Sequence, residues 1–224
     1  MTQTTLNSEA FLRKFHAQYA GATATLRAAR ASDGRTSYER RTQLVPGGRE
    51  PIMVLDLACG DGPLLELLLQ RHQPRLRLVG VNMSPEELAL ARRRLGADRV
   101  DLRLERAQQL SRANASVDCV LCHLALMLMD PIEGVASEIR RVLKPRGQLA
   151  AVVNGEFIQG DAMEAFVLAA TDLILQEGMG GSVALGDRRT CSVAGLRSLF
   201  NARTGFDEPP TIEDFLLHLD GPLE

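Results

Sequence analysis

The 224-residue sequence lacks an uninterrupted apolar run of about 18 residues, the length a membrane-spanning helix requires, so no membrane association is expected. It lacks a long basic run, and its net charge is only −2, so nothing points to nucleic acid as the main partner. Its first residues lack a basic region followed by an apolar one, which argues against a secretory signal. Cysteine is scarce, with four in the whole chain, and no disulfide framework is needed; free thiols in a cytoplasmic protein are the expectation. Cys119 and Cys122 have C-x-x-C spacing, but they fall in an apolar stretch that reads as a strand, where residues three apart face opposite ways and cannot share a metal. His16, His72 and His218 are scattered and suggest neither a metal site nor a catalytic triad. Lysine occurs only at Lys14 and Lys144, with arginine everywhere else, which reads as a coding bias. What is present, 45% hydrophobic and 24% charged residues, is the composition of one globular domain with a full core, with room for a small appended cap.

One stretch organises the chain. The apolar run 52–57 reads as a short buried strand, Ala58-Cys59-Gly60-Asp61-Gly62 as a tight turn, and the leucines of 64–69 as the opening of a helix. Glycine in such a turn tolerates unusual backbone angles and lets a ligand approach the main chain. A dinucleotide fingerprint would need a third glycine three residues on, and a phosphate-binding loop would need a Gly-Lys-Ser/Thr ending; neither is there. The acidic turn favours a ligand with cationic groups over a pyrophosphate.

Residues 54–62, Val-Leu-Asp-Leu-Ala-Cys-Gly-Asp-Gly, resemble motif I of the class I S-adenosyl-L-methionine (SAM) dependent methyltransferases of the small-molecule type. The resemblance implies an α/β fold, a doubly wound Rossmann-like sheet, with SAM as cofactor bound near Asp56, Ala58, Cys59, Gly60, Asp61 and Gly62. It covers about 50–153 closely and reaches more loosely to 219.

Taken in order, residues 1–31 read as helical, with Phe11, Leu12, Phe15 and Tyr19 on one face and an alanine-rich continuation. By resemblance, 1–48 forms a helical amino-terminal lid over the cofactor cleft, from which Tyr19 could reach a substrate. A short helix is expected around 38–45. The SAM-binding domain then occupies 49–224. Its second strand, 76–81, ends at Asn82-Met83-Ser84-Pro85, where Ser84 caps a helix with Pro85 at its first position and Glu87 completes a capping box. In the resembled family an acidic residue ends this strand and binds both ribose hydroxyls; here it is Asn82, which loses the charge but keeps hydrogen-bonding capacity. A third strand, 100–104, leads to a segment where the family's adenine-binding Asp is replaced by Arg106. Adenine contacts then fall to the backbone at Ala107 and to Gln108, with Arg106 turned outward.

A fourth strand, 116–124, carries His123 to the sheet edge beside the cofactor. A helix over 131–143, a turn at 144–147 and a fifth strand at 149–153 follow. An apolar helix at 161–177 and a glycine loop at 178–186 belong to a helical insertion, 155–189, that shapes the acceptor pocket by resemblance. A last helix at 192–204 and a sixth strand at 211–219 close the chain, with the seventh strand lacking; shortening of the chain, an open place in the sheet, or another subunit of a homodimer would each account for that.

Methyl transfer from a sulfonium needs positioning and a dry site more than acids, bases or metals, in keeping with the lack of a strong catalytic constellation. His123 is the one titratable candidate for a general base or a cofactor contact, and Met127 is a candidate to line an apolar acceptor pocket. The function expected is methylation of a small molecule, in specialised metabolism. Two alternatives stand beside it: a SAM-binding enzyme that does not methylate, such as one that closes a ring within SAM and releases methylthioadenosine, and a non-catalytic SAM-binding subunit.

Overall fold

Short runs of Ile, Val and Leu bounded by turns make the middle of the molecule a parallel sheet, because strands buried on both faces need apolar residues at every position. The computed structural model describes residues 8–21, 27–45, 51–96, 99–155 and 186–218. Among them lie helices α1 (Ser8–Gln18) and α2 (Ser37–Thr42), then β1 (Ile52–Leu57), α3 (Pro63–Gln70), β2 (Leu76–Asn82), α4 (Pro85–Leu95), β3 (Asp101–Leu104), β4 (Val117–His123), α5 (Ile132–Val142), β5 (Leu143–Val152) and α6 (Val193–Leu199). The five strands are parallel in the order β3-β2-β1-β4-β5. The chain thus winds outward from β1 in one direction and returns to wind outward from β4 in the other. The resulting switch point between β1 and β4 is where open α/β sheets take their ligands.

Two apolar layers sandwich the sheet. Val54, Leu78, Cys119 and Leu121 face α3 and α4, meeting Leu64, Leu65, Leu68, Leu88, Ala91 and Leu95, with Tyr38 and Val45 joining from the amino-terminal segment. Leu55, Leu57, Val79, Val81, Val120 and Cys122 face α5 and α6. On α5, Ile132, Val135, Ala136, Ile139 and Val142 repeat at helical spacing and are all buried. Each Ile or Val so placed contributes about 1.5–3 kcal/mol. Cys119 and Cys122 sit in opposite layers, as strand alternation requires. At the far end of the sheet Asp118 accepts hydrogen bonds from the Met53 amide and the Lys144 ammonium, each at 2.8 Å, and ties β1, β4 and β5 together.

Four expectations change. The amino-terminal helix ends at Gln18, and by Arg30 the chain runs in an extended bridge to Thr36 and His218, so the alanines at 29 and 31 are not helical. The turn at 144–147 and the strand after it form one bulged strand that starts directly from α5, with Arg146 in a left-handed conformation. Helix 192–204 is split: α6 stops at Leu199 and a single 3-10 turn covers Ala202–Thr204. The sixth strand does not form over 211–218. Its residues are held instead by α2, with Glu213 paired to Arg40 at 2.9 Å and the Arg40 guanidinium 4.9 Å over the Phe215 ring. Pairing with the sheet is thus replaced by side-chain contacts with α2 and a single backbone bridge between His218 and Arg30. The insertion helix expected at 161–177 lies outside the described residues, as does its glycine loop up to 185. No helix among the described residues is long and apolar enough to cross a membrane.

Candidate functional site

Where β1, β2 and β4 end, their connecting turns leave a cleft of about 1170 Å³, counting the space open to solvent. The turn after β1 is built from alternating left-handed residues, Ala58 (φ 59°), Gly60 (φ 54°) and Gly62 (φ 85°). Two of the three are glycine, the residue that adopts this conformation at no steric cost. The third, Ala58, bears local strain, as does Leu124 (φ 51°) at the end of β4. Both strained residues line the cleft, and strain held by surrounding structure gathers at functional sites. Gly62 also begins α3: a Cβ there would stand 3.0 Å from Leu95.

All the residues expected to bind the cofactor line this cleft except Gly62: Asp56, Ala58, Cys59, Gly60, Asp61, Asn82, Met83, Ala107, Gln108 and His123. Tyr19 and Met127 are not among the lining residues. Tyr19 packs on Phe15 and its hydroxyl accepts from Gln18, while Met127 lies in the 3-10 turn Leu126–Leu128. From α1, Glu9, Leu12 and His16 close one side of the cleft.

The electrostatics differ from what the sequence suggests. Asp61, the acid inside the turn, is neutralised by two guanidinium groups, Arg27 and Arg94, the latter at 2.7 Å. Asp56, at the end of β1, is fully enclosed, and burial pushes its carboxyl up to about 8. Its Oδ2 has no hydrogen-bond partner among the described residues. A buried carboxylate left this way is costly unless a donor or cation meets it.

The amide oxygen of Asn82 accepts from the Ser84 amide at 2.8 Å, an arrangement that leaves its NH2 donors for the cleft. Ser84 caps α4 by accepting from the Glu87 amide at 3.2 Å, but the second half of the expected capping box is absent. The Glu87 carboxylate turns inward to His16 Nδ1 (3.0 Å) and the Gly21 amide (2.9 Å). Arg106 turns to α1 and pairs with Glu9. Gln108 donates to the Asp130 carbonyl at 3.0 Å.

His123 stacks on Tyr38, ring centroids 3.7 Å apart, and its Nε2 lies 2.8 Å from the Ser37 hydroxyl. Burial, aided by the nearby Arg41 charge, pushes the imidazole down to about 3, so it is neutral at physiological pH. An imidazole that weak draws a proton poorly from a hydroxyl or amine. Tyr38, whose phenol burial raises to about 12, forms part of the same wall. Sequence reasoning missed Tyr38, Ser37, His16 and Glu87 as cleft or wall residues. Only Glu87 carried a local signal, and that signal pointed to a helix cap.

The groups present suit an adenosyl sulfonium: a glycine turn that admits close approach, a buried carboxyl that a cation would ionise, and amide donors at the next strand end. Residues 55–151 match the family model described as a methyltransferase domain. Over 165 residues the chain is 31% identical to an uncharacterized 37.1 kDa protein in transposon TN4556 of Streptomyces fradiae, covering 67% of this chain and 46% of that protein. Over 102 residues it is 36% identical to the demethylmenaquinone methyltransferase of Deinococcus radiodurans, covering 44% and 42%. The chain thus spans less than half the length of these two relatives. The [4+2]-cyclase SpnF shares the fold, with a TM-score of 0.54 at 21% identity over 71% of this chain and 65% of that one. Over residues 55–151 the chain is similar to the methyltransferase domain family, and S-adenosyl-L-methionine is the cofactor that this similarity implies.

Proposed function

We propose that the protein transfers a methyl group from SAM to a small-molecule acceptor of specialised metabolism. The observation that carries this reading is the buried carboxyl of Asp56 beside the Ala58–Gly62 turn, whose Oδ2 has no hydrogen-bond partner among the described residues and which can ionise against a cationic ligand. Bound SAM supplies an electrophilic methyl on a cationic sulfur. The residues of this chain bind, orient and exclude water: Asp56 opposes positive charge, Asn82 donates to hydroxyls, and Tyr38 with His123 makes a dry wall. With His123 neutral and already bonded to Ser37, the reading uses no general base from that position and rests on positioning instead. The menaquinone-pathway relative acts on a small molecule, which supports the same acceptor class here.

The test is incubation with SAM, with and without a panel of small hydroxyl, amine and activated-carbon acceptors, followed by chromatography of the adenosyl products. S-adenosylhomocysteine that appears only with an acceptor is the expected result. Methylthioadenosine released without acceptor would overturn it in favour of ring closure within SAM. Tight SAM binding without turnover across the panel would favour a binding subunit.

A further inference from the structure

We propose that Ser37 is a positioning residue: its hydroxyl donates to His123 Nε2 and so fixes the imidazole with its proton on Nδ1, a neutral hydrogen-bond donor for the ionised oxygen of an acidic acceptor, an enol or a phenol. The acceptor class rests on the methyl-transfer reading above; the tautomer does not.

Ser37 is 1% exposed, and among the described residues its hydroxyl has one partner, His123 Nε2 at 2.8 Å. Two arrangements fit that distance. If the ring nitrogen donated, the hydroxyl proton would be buried without an acceptor; if the hydroxyl donates, only an oxygen lone pair is left over. Buried donors without a partner are the rarer of the two. The hydroxyl proton therefore goes to Nε2, and a neutral ring with a bare Nε2 carries its own proton on Nδ1. Ser37 opens α2, and that helix is firmly held. Thr36 and Glu39 close a capping box at its start, Arg71 donates to the Thr42 carbonyl at 2.7 Å, and Arg41 donates to the Ala151 carbonyl of β5 at 2.6 Å. A hydroxyl fixed in this way fixes the tautomer.

His123 lines the cleft. Tyr38 covers one face of its ring and Nε2 is spent on Ser37, so Nδ1 is the polar atom that the ring has left for a ligand; it makes no hydrogen bond with a described residue. A group that donates at Nδ1 holds an oxygen but takes no proton from it. The acceptor must then ionise by itself, which enols and phenols do far more readily than aliphatic alcohols. It gives its proton to water, its lone pair forms the bond to the methyl carbon, and the electron pair of the carbon–sulfur bond stays with sulfur.

The experiment is heteronuclear NMR of the imidazole nitrogens in the full chain at neutral pH, with His123 assigned through its backbone. Nδ1 is expected as the protonated nitrogen and Nε2 as the bare one. Ser37→Ala is expected to lose that preference, and Ser37→Thr, which keeps the hydroxyl, to hold it. A wild-type His123 protonated on Nε2 overturns the proposal without recourse to any variant's folding, as does an unchanged tautomer in Ser37→Ala. In turnover with SAM, enol and phenol acceptors are expected to be methylated and aliphatic alcohols not. Ser37→Ala is expected to lower kcat/KM for such an acceptor about tenfold, the worth of one hydrogen bond to a charged oxygen. Its affinity for S-adenosylhomocysteine should stay within about twofold of wild type, and Ser37→Thr should restore the rate. Aliphatic alcohols methylated as fast as phenols would overturn the acceptor class, and an undiminished rate in Ser37→Ala would overturn the positioning role. Failure of the wild type to bind S-adenosylhomocysteine would instead overturn the cofactor reading, with the tautomer still decided by NMR.

Discussion

The turn after β1 and the turn after β2 lie side by side in one cleft but are specified in different ways. The first works through its backbone: residues 58, 60 and 62 are left-handed, and two of the three are glycine. The second works through side chains, with Asn82, Ser84 and Glu87 bonded among themselves and to α1. A backbone device fixes its own shape wherever the sequence occurs. A side-chain device depends on which partner the rest of the fold brings within reach, and its ligand-binding capacity is what those partners leave over.

This contrast predicts a steep dependence on glycine at the first turn. Gly62→Val puts a β-branched side chain at φ 85° and against Leu95, costing about 3 kcal/mol of stability from backbone strain and overpacking. Denaturant unfolding should show that loss, with cofactor binding abolished in the fraction that stays folded. A variant of wild-type stability would mean that the turn is not held as described.

Asp56→Asn probes the charge beside that turn. Because the free carboxyl titrates at about 8 and a cationic ligand favours its ionised form, binding releases a proton below that pH. Wild-type affinity for S-adenosylhomocysteine should therefore rise between pH 6 and 7.5. Asp56→Asn should bind about tenfold more weakly at the upper end and lose the slope. The unliganded protein carries the opposite sign. The folded-state carboxyl is raised above its unfolded value, so the wild type loses stability as pH climbs from about 4 through about 8, while Asp56→Asn does not. Parallel pH profiles for the two proteins would show Asp56 to be paired in solution.

The smallest effect belongs to the second turn. Ser84→Ala removes the cap on α4 and costs about 1 kcal/mol. The variant keeps the backbone amide that holds Asn82, so its affinity for methylthioadenosine should stay within about twofold of wild type. A larger loss would mean that the cap, and not that amide, sets the turn.

Much of the fold is legible in the sequence because its causes are local. Apolar runs of strand length, the glycine break after Leu57 and the Ser84-Pro85 helix start fix β1, β2 and the starts of α3 and α4 to within about a residue. The 211–218 segment has an ordinary strand-like composition, yet it follows Arg40 and Arg30 instead of joining the sheet. That outcome depends on neighbours far away in sequence. Glu87 shows the same limit within one motif: Ser-x-x-Glu spacing gave the Ser84 cap correctly, but the carboxylate is claimed by His16, 71 residues earlier.

By itself, then, the sequence determined the glycine turn, its place at the end of a buried strand and the identity of the cofactor family, since all three rest on backbone conformation and short-range patterning. Only the tertiary structure decided which acids remain available. Asp61 is neutralised by Arg27 and Arg94, His123 is buried neutral against Tyr38, and Asp56 and Glu87, which line the cleft, each keep one oxygen without a hydrogen-bond partner among the described residues. Charge is long-ranged, and its value at a site depends on burial and on partners that residue order does not reveal.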